Sequence, residues 1–289
     1  MSLGTMPAGA EPDAAADRLT VIAPGLAARN YWRDLWHYRE LFAILAWRDV
    51  TVRYKQTVVG VLWALVRPLL TMIVFTVVFG RLAGLPSDGG VPYPVMVMAG
   101  MLPWFLFSTI LGSASNSIVS NGNLISKVYF PRLIVPLSAC AVALVDSAIT
   151  FVLLVGLMLS YGVAPDWRIV FLPGFVLLAV LASVGPALIL TALNIRYRDF
   201  GFIVPFIIQF GMYVSPVGFS SAVVPEEWRL LYSINPVVGV IDGFRWSLLG
   251  GDTAIHWPGF ALGCLLVLAL LWAGIRTFRA TERTFADLI

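Results

Sequence analysis

The stretch that most constrains this chain is residues 48–80, RDVTVRYKQTVVGVLWALVRPLLTMIVFTVVFG. Arg48, Arg53 and Lys55 stand in its first eight residues, and from residue 56 to 80 the only charge is Arg67. A bilayer core about 30 Å thick takes roughly 20 apolar residues as a helix rising about 1.5 Å per residue. Residues 58–80 meet that length and are predicted to be a first membrane span. Cations just ahead of a first span mark the cytoplasmic side. A chain that begins this way must satisfy every backbone group at membrane depth from within, which favours helices throughout.

Five further apolar segments follow, at 94–117, 133–161, 169–193, 200–219 and 257–275. The predicted fold is therefore an all-α polytopic membrane protein with six transmembrane helices and both termini on one side. Only 12% of the 289 residues are charged, half of the roughly 25% usual in soluble domains. With the amino terminus inside, fourteen cations fall on the cytoplasmic side: Arg18, Arg29, Arg33, Arg39, Arg48, Arg53, Lys55, Lys127, Arg132, Arg196, Arg198, Arg276, Arg279 and Arg283. The outer side keeps Arg81, Arg168, Arg229 and Arg245. This asymmetry accounts for the net charge of +3 without a nucleic-acid or other anionic partner.

The segments between the spans carry their own signals. Residues 1–30, rich in Ala, Gly, Pro and Asp, read as a disordered cytoplasmic leader. Residues 31–57 place Leu35, Tyr38, Phe42 and Leu45 at helical spacing among charged residues. They are predicted to form an amphipathic helix in the cytoplasmic interface, with Trp32, Trp36 and Trp47 at headgroup depth. A helix packed on a partner protein fits the same pattern. The connection at 120–136, SNGNLISKVYFPRLIVP, is expected to hold a short helix at about 121–131, exposed to the cytosol and suited to docking a partner. The alternative is an ordinary tight connection. Residues 220–256 form the one long outer connection, with two short helix-like pieces at 226–232 and 236–249 separated by Asn235-Pro236. They are too short and charged to span, so a gate or lid dipping into the outer leaflet competes with surface helices that seal the bundle. Residues 281–289 are a cytoplasmic tail.

The chain lacks the GxxxxGK[ST] phosphate loop and the HExxH motif. No paired-Asp motif or Ser-His-Asp candidate stands out either. Cys140 and Cys264 lie in apolar runs away from metal-ligand spacing. His37 and His256 are predicted on opposite faces of the membrane. Two ionisable residues sit inside spans, Arg67 and Asp146, and each is a functional candidate because charge in lipid is expensive. They are expected either to pair or face a wet cavity, or to make structural polar contacts. In the fifth span, Pro205, Gly211 and Pro216 interrupt a helix that also holds Gln209, Tyr213 and Ser215, as in broken helices that line pathways. Aromatics are abundant in the spans, among them Trp63, Trp104, Phe210 and Tyr213. They serve either packing and interface anchoring or a conduit on whose ring faces sugars stack.

Three pieces, RDVTVRYKQTVVGVLWALVRPLL, NLISKVYFPRLIVPLS and NPVVGVIDGFRWSLLG, resemble the permease subunits of ABC-2-type polysaccharide exporters. That family includes O-antigen, capsule and teichoic-acid exporters, and the unbroken VRYKQTVVGVLWA run is most similar to the O-antigen branch. The resemblance covers residues 31–280 and implies a homodimer in the inner membrane, with two copies of an ABC ATPase docked on its cytoplasmic face. ATP and Mg would sit on that partner, so this chain would bind no cofactor or metal and would be no enzyme itself. The cargo implied is a polysaccharide on an undecaprenyl-diphosphate carrier. Carried onto this sequence, the resemblance implies a 58–280 permease domain and a conduit lined by the first and fifth spans, with Trp63, Phe210, Tyr213 and Trp104 as sugar-stacking candidates. Arg53, Lys55 and Arg67 would receive the lipid diphosphate at the entrance. Asn121, Leu124, Lys127, Phe130 and Arg132 would couple to the ATPase. Trp228, Tyr232 and Phe244 would belong to short external gate helices. The rival readings are an ABC-2 exporter of a small molecule or drug, and a membrane glycosyl or acyl transferase.

Overall fold

The computed structural model describes residues 31–55, 60–250, 255–282 and 285. The leader, the opening residues of the first span and most of the tail lie outside the described residues. Those described are helical, without a strand. Helices α1 (Tyr31–His37) and α2 (Arg39–Lys55) take the place of the predicted interface helix, with a break at Tyr38. Helix α3 (Gly60–Phe75) runs on as a π-helical segment, Thr76–Leu82. The hydrogen bond from the Ala83 amide to the Val78 carbonyl marks the wider turn. Then come α4 (Tyr93–Ser120), the single turn α5 (Gly122–Ile125) and α6 (Ile134–Ser160). Helix α7 (Leu172–Arg196) is preceded by a 3-10 turn, Trp167–Phe171. The chain ends with α8 (Phe200–Val214), α9 (Glu226–Tyr232), α10 (Pro236–Leu249) and α11 (Trp257–Glu282).

Among the described residues, five stretches are long and apolar enough to cross a membrane: Leu62–Leu82, Tyr93–Ser120, Ile134–Ser160, Trp167–Arg196 and Trp257–Glu282. They match the first, second, third, fourth and sixth predicted spans. The fifth differs. Its helix stops at Val214, 15 residues long, or about 22 Å at 1.5 Å per residue, and residues 215–220 continue without helix. The docking helix expected at 121–131 is also shorter, with only α5 helical. Pro131 has no amide proton to extend a helix through the segment.

Burial ranks the helices. In the most apolar window of Tyr93–Ser120, 83% of residues are buried, against 17% for Leu62–Leu82. Helix α4 is thus the axle: α6, α7, α8 and α10 pack around it, and α11 packs on α7. The α7–α11 contact depends on two glycines. A Cβ on Gly274 would come within 2.3 Å of the Gly185 carbonyl oxygen, so the backbones touch directly. Lipid tails are as apolar as leucine, so close van der Waals fit replaces the hydrophobic drive between such helices. Helix α2 lies against α6 through buried Leu45. Trp36 on α1 and Trp47 on α2 are more than 70% exposed, the placement expected of headgroup anchors.

Candidate functional site

Polar chemistry gathers at three levels: the end of the bundle that carries α2, the middle, and the far end that carries α9. At the α2 end several of the charges are already paired. The Arg53 guanidinium forms an ion pair with Asp146 of α6, and the Tyr54 hydroxyl donates to the same carboxylate. Burial, then Asp146 beside it, raises the Tyr54 pKa. Of the readings open for Asp146 (pairing with Arg67, a wet cavity, or structural polar contacts), the structure shows polar contacts, a clamp that fastens α2 to α6. Arg48 donates to Asp49 (2.7 Å) and to the Asn121 side-chain oxygen (2.9 Å). Asn121 in turn donates to the Ser117 carbonyl at the end of α4.

Of the other residues predicted to couple to an ATPase, Lys127 is exposed, Leu124 is half-buried and Phe130 is buried. Arg132 is held by α11: its amide donates to the Glu282 carboxylate (2.9 Å) and its guanidinium to the Glu282 carbonyl. The Arg279 guanidinium sits 4.6 Å from the Tyr31 ring centroid. The α2 end therefore links α1, α2, the 121–133 connection and the end of α11. Lys55, at the last turn of α2, stays exposed.

In the middle, α3, α4, α7 and α8 enclose a cavity of about 460 Å³. Its lining mixes Arg67, Ser108, Ser115, Asn116, Asn194 and Gln209 with Phe105, Ile208 and Met212. The Arg67 guanidinium lies 5.4 Å from the Phe105 ring centroid, an arrangement that keeps a cation at low dielectric. Trp104 also lines this cavity but is buried. Its ring edge faces Gly211, where a Cβ would come within 2.8 Å. Three of the four conduit candidates behave differently from it. Trp63 on α3 and Phe210 and Tyr213 on α8 are each more than half exposed. Phe206 stacks on Phe210 at 6.1 Å and 8°, and Tyr213 lies 6.1 Å from Phe75. Helix α8 thus presents an outward aromatic wall, and α3 adds exposed Trp63.

The far end holds the arrangement that the sequence did not announce. Backbone leaving α8 is irregular from 215 to 220 and its carbonyls need donors. Side chains supply them in order. The Tyr232 hydroxyl donates to the Val214 carbonyl (2.8 Å), Arg245 Nη2 to Val217 (3.0 Å), the Tyr93 hydroxyl to Gly218 (2.7 Å) and Arg245 Nη1 to Phe219 (2.9 Å). Arg245 is 1% exposed, with Asp88 3.4 Å away as counter-charge. Burial lowers its pKa, and Asp88 and Asp242 oppose that. Burial pushes Asp242 up to about 6, against the Ser221 hydrogen bond and the Arg245 charge.

The two helices expected from the Asn235-Pro236 break are present. The Asn235 side chain accepts from the Val237 amide (3.1 Å), and Pro236 opens α10. Of the predicted gate residues, Trp228 is exposed, Tyr232 caps Val214 and Phe244 is fully buried. Phe244 is thus a core residue of α10 and faces no opening, because α10 is enclosed by α4, α7 and α11.

Sequence reasoning placed Arg245 among loop charges and passed over Asp88 and Asp242. The available signal was the pairing of Asp242 and Arg245, three apart on one helical face within VVGVIDGFRWSLL. Among the described residues no group of three or more metal-ligating side chains occurs.

Set beside known proteins, residues 40–249 match the family described as "ABC-2 type transporter". The chain is 28% identical over 261 residues to the O-antigen export system permease protein RfbA of Myxococcus xanthus, covering 89% of this chain and 98% of that one. It is 24% identical over 257 residues to the RfbA permease of Klebsiella pneumoniae, covering 89% and 97%. The polysialic acid transport protein KpsM of Escherichia coli is 24% identical over 242 residues, covering 81% and 91%.

Proposed function

From the premise that the chain belongs to the ABC-2 type transporter family, we propose that it is the permease of an ATP-driven exporter of an O-antigen-like polysaccharide carried on undecaprenyl diphosphate. The similarity to export permeases runs nearly end to end, and one structural observation carries the reading. Helices α3 and α8 leave Trp63, Phe206, Phe210 and Tyr213 exposed, and both helices line the polar central cavity. A lone chain gives this wall nothing to stack on, whereas a second copy facing it would enclose an aromatic-lined path. Flat apolar faces flanked by polar groups suit sugar rings, which present C–H patches and hydroxyls together.

In this reading α8 with residues 215–220 makes a sixth crossing, the α2 end is cytoplasmic, and α9 and α10 lie on the outer side as gate elements. Arg67 beside the central cavity and exposed Lys55 receive the diphosphate. Arg53 contributes through its clamp on Asp146. The ATPase docks against α1, α2 and the 121–133 connection, and its closure moves α6 and α11 through the contacts at Asp146 and Glu282. This chain supplies no catalytic group; ATP and Mg belong to the partner.

The test is a deletion strain with an intact-gene control, read by the size and sidedness of lipid-linked glycans. Full-length polymer trapped on the cytoplasmic side is the expected result. Unchanged surface glycans would overturn the polysaccharide assignment in favour of a small-molecule cargo, and truncated glycans with no trapped polymer would point to an enzyme. In the complemented strain, Arg53→Glu with Lys55→Glu should insert normally and export poorly. Copurification with an ATPase checks the partner.

A further inference from the structure

We propose that the far-end cavity between α9, α10 and the start of α11 is a binding site for one neutral sugar ring, which rests on the export reading and adds a specific saccharide contact where polymer leaves the permease. The cavity holds about 270 Å³. That is just below the roughly 300–1,000 Å³ of sites for drug-sized ligands, and so suits a single ring rather than a chain.

Its lining decides the chemistry. Both acceptors and donors line it: Asp88, Asp242, Ser221, Arg229, Arg245 and His256. Ser221 takes one oxygen of Asp242 at 2.7 Å, and the other has no hydrogen-bond partner among the described residues. The Gly259 amide donates to His256 Nδ1 (3.2 Å), which leaves the proton of the neutral ring on Nε2 as a donor. Arg229 spends Nε and Nη2 on the Val224 and Ala222 carbonyls, and Nη1 is left over. Arg245 Nε is buried with no hydrogen-bond partner among the described residues.

Charge excludes the simpler ligands. Two guanidinium groups oppose a metal cation and two carboxylates oppose an anion, so the cavity is close to neutral, with the second Asp242 oxygen and the His256 Nε2 as its open acceptor and donor. A vicinal pair of hydroxyls, each donating and accepting, meets that pattern. Val238 and Ile255 give the C–H face of the ring an apolar wall.

The test uses the full-length protein in lipid nanodiscs, with glucose, galactose, mannose, rhamnose and N-acetylglucosamine added singly at about 100 mM, a level suited to millimolar affinity. Hydrogen exchange is read over residues 220–250. At least one sugar should slow it about threefold or more by stabilising the closed cavity. Asp242→Asn and His256→Gln, both able to fold without breaking the Arg245 caps, should each abolish that slowing when exchange with sugar is compared with sugar-free exchange of the same variant. Absence of slowing by every sugar overturns the site, as does equal slowing in both variants. Sugar-dependent protection with unchanged surface glycans in the deletion strain would keep the site and remove the export reading. Trapped polymer without protection would do the reverse.

Discussion

Helices α8 and α10 are nearly the same length, 15 and 14 residues, and have opposite fates. Helix α8 contains no charge, yet Val204 is its one buried residue. Helix α10 contains Asp242 and Arg245, yet ten of its residues are buried. In water the more apolar helix would be the core. In a bilayer an apolar side chain is as content against lipid as against protein, whereas a polar group finds partners only inside the protein. Burial in this fold therefore tracks the need for hydrogen bonds rather than hydrophobicity. The irregular stretch at 215–220 is where that need is greatest, and Arg245 answers it.

Replacing the cap should have the largest effect. Arg245→Met removes donors from Val217 and Phe219 and strands Asp88. Breaking one side of a buried charge pair costs about 3–5 kcal/mol. Arg245→Lys should rescue little, since an ammonium cannot fork to two carbonyls while facing a carboxylate. Thermal unfolding in detergent would check both, and a wild-type transition in Arg245→Met would mean that burial on α10 does not depend on its polar contacts.

Next is a tight contact of α8 with α4. A Cβ on Gly211 would meet the Trp104 ring at 2.8 Å. Gly211→Val should force that ring aside and destabilise by about 1–3 kcal/mol. Gly211→Ala should do less, and near-ultraviolet circular dichroism of Trp104 should change in parallel. If Gly211→Val unfolds like wild type, α8 is held by something other than this contact.

How much of this was legible follows from the same contrast. Five crossings were readable because length and apolarity are local properties, and so was the Asn235-Pro236 helix start, which is fixed by one side chain and one ring. The burial of Phe244, read as a gate residue, was not legible because nothing local distinguishes a membrane-facing phenylalanine from one walled in by three helices. Asp146 was found, but its partner was not. Arg53 and Tyr54 reach it from a helix 92 positions upstream of it, and no spacing rule links α2 to α6. Arg245 was missed for a related reason. Its role exists only because 215–220 is irregular and lies beside α10.

A smaller effect should appear as a pH slope. The Asp242 carboxyl is pushed up to about 6 by burial, from 3.8. The folded protein thus holds this proton more tightly than the unfolded chain, and the linked stability falls as pH rises from about 4 through 6. Above that range the penalty of the buried carboxylate is constant. Asp242→Asn should flatten the slope and raise stability at pH 7 relative to wild type. Wild-type stability that rises across this interval and stays rising in the variant would show the slope to come from other groups.

The smallest expected effect sharpens the comparison most. Phe202 on α8 is 83% exposed, and Phe244 on α10 is fully buried. Phe244→Leu leaves a gap among α4, α7 and α11 and should lower stability by about 1–2 kcal/mol through lost volume. Phe202→Leu should stay within about 0.5 kcal/mol, as surface changes usually do. Both are measured in one detergent at protein concentrations that vary widely. Concentration dependence separates a face that meets detergent from one that meets a second copy, because association adds stability by mass action. A Phe202→Leu cost that grows with concentration would place the outward face of α8 at an interface between copies. A cost equal to that of Phe244→Leu at every concentration would erase the difference between the two helices.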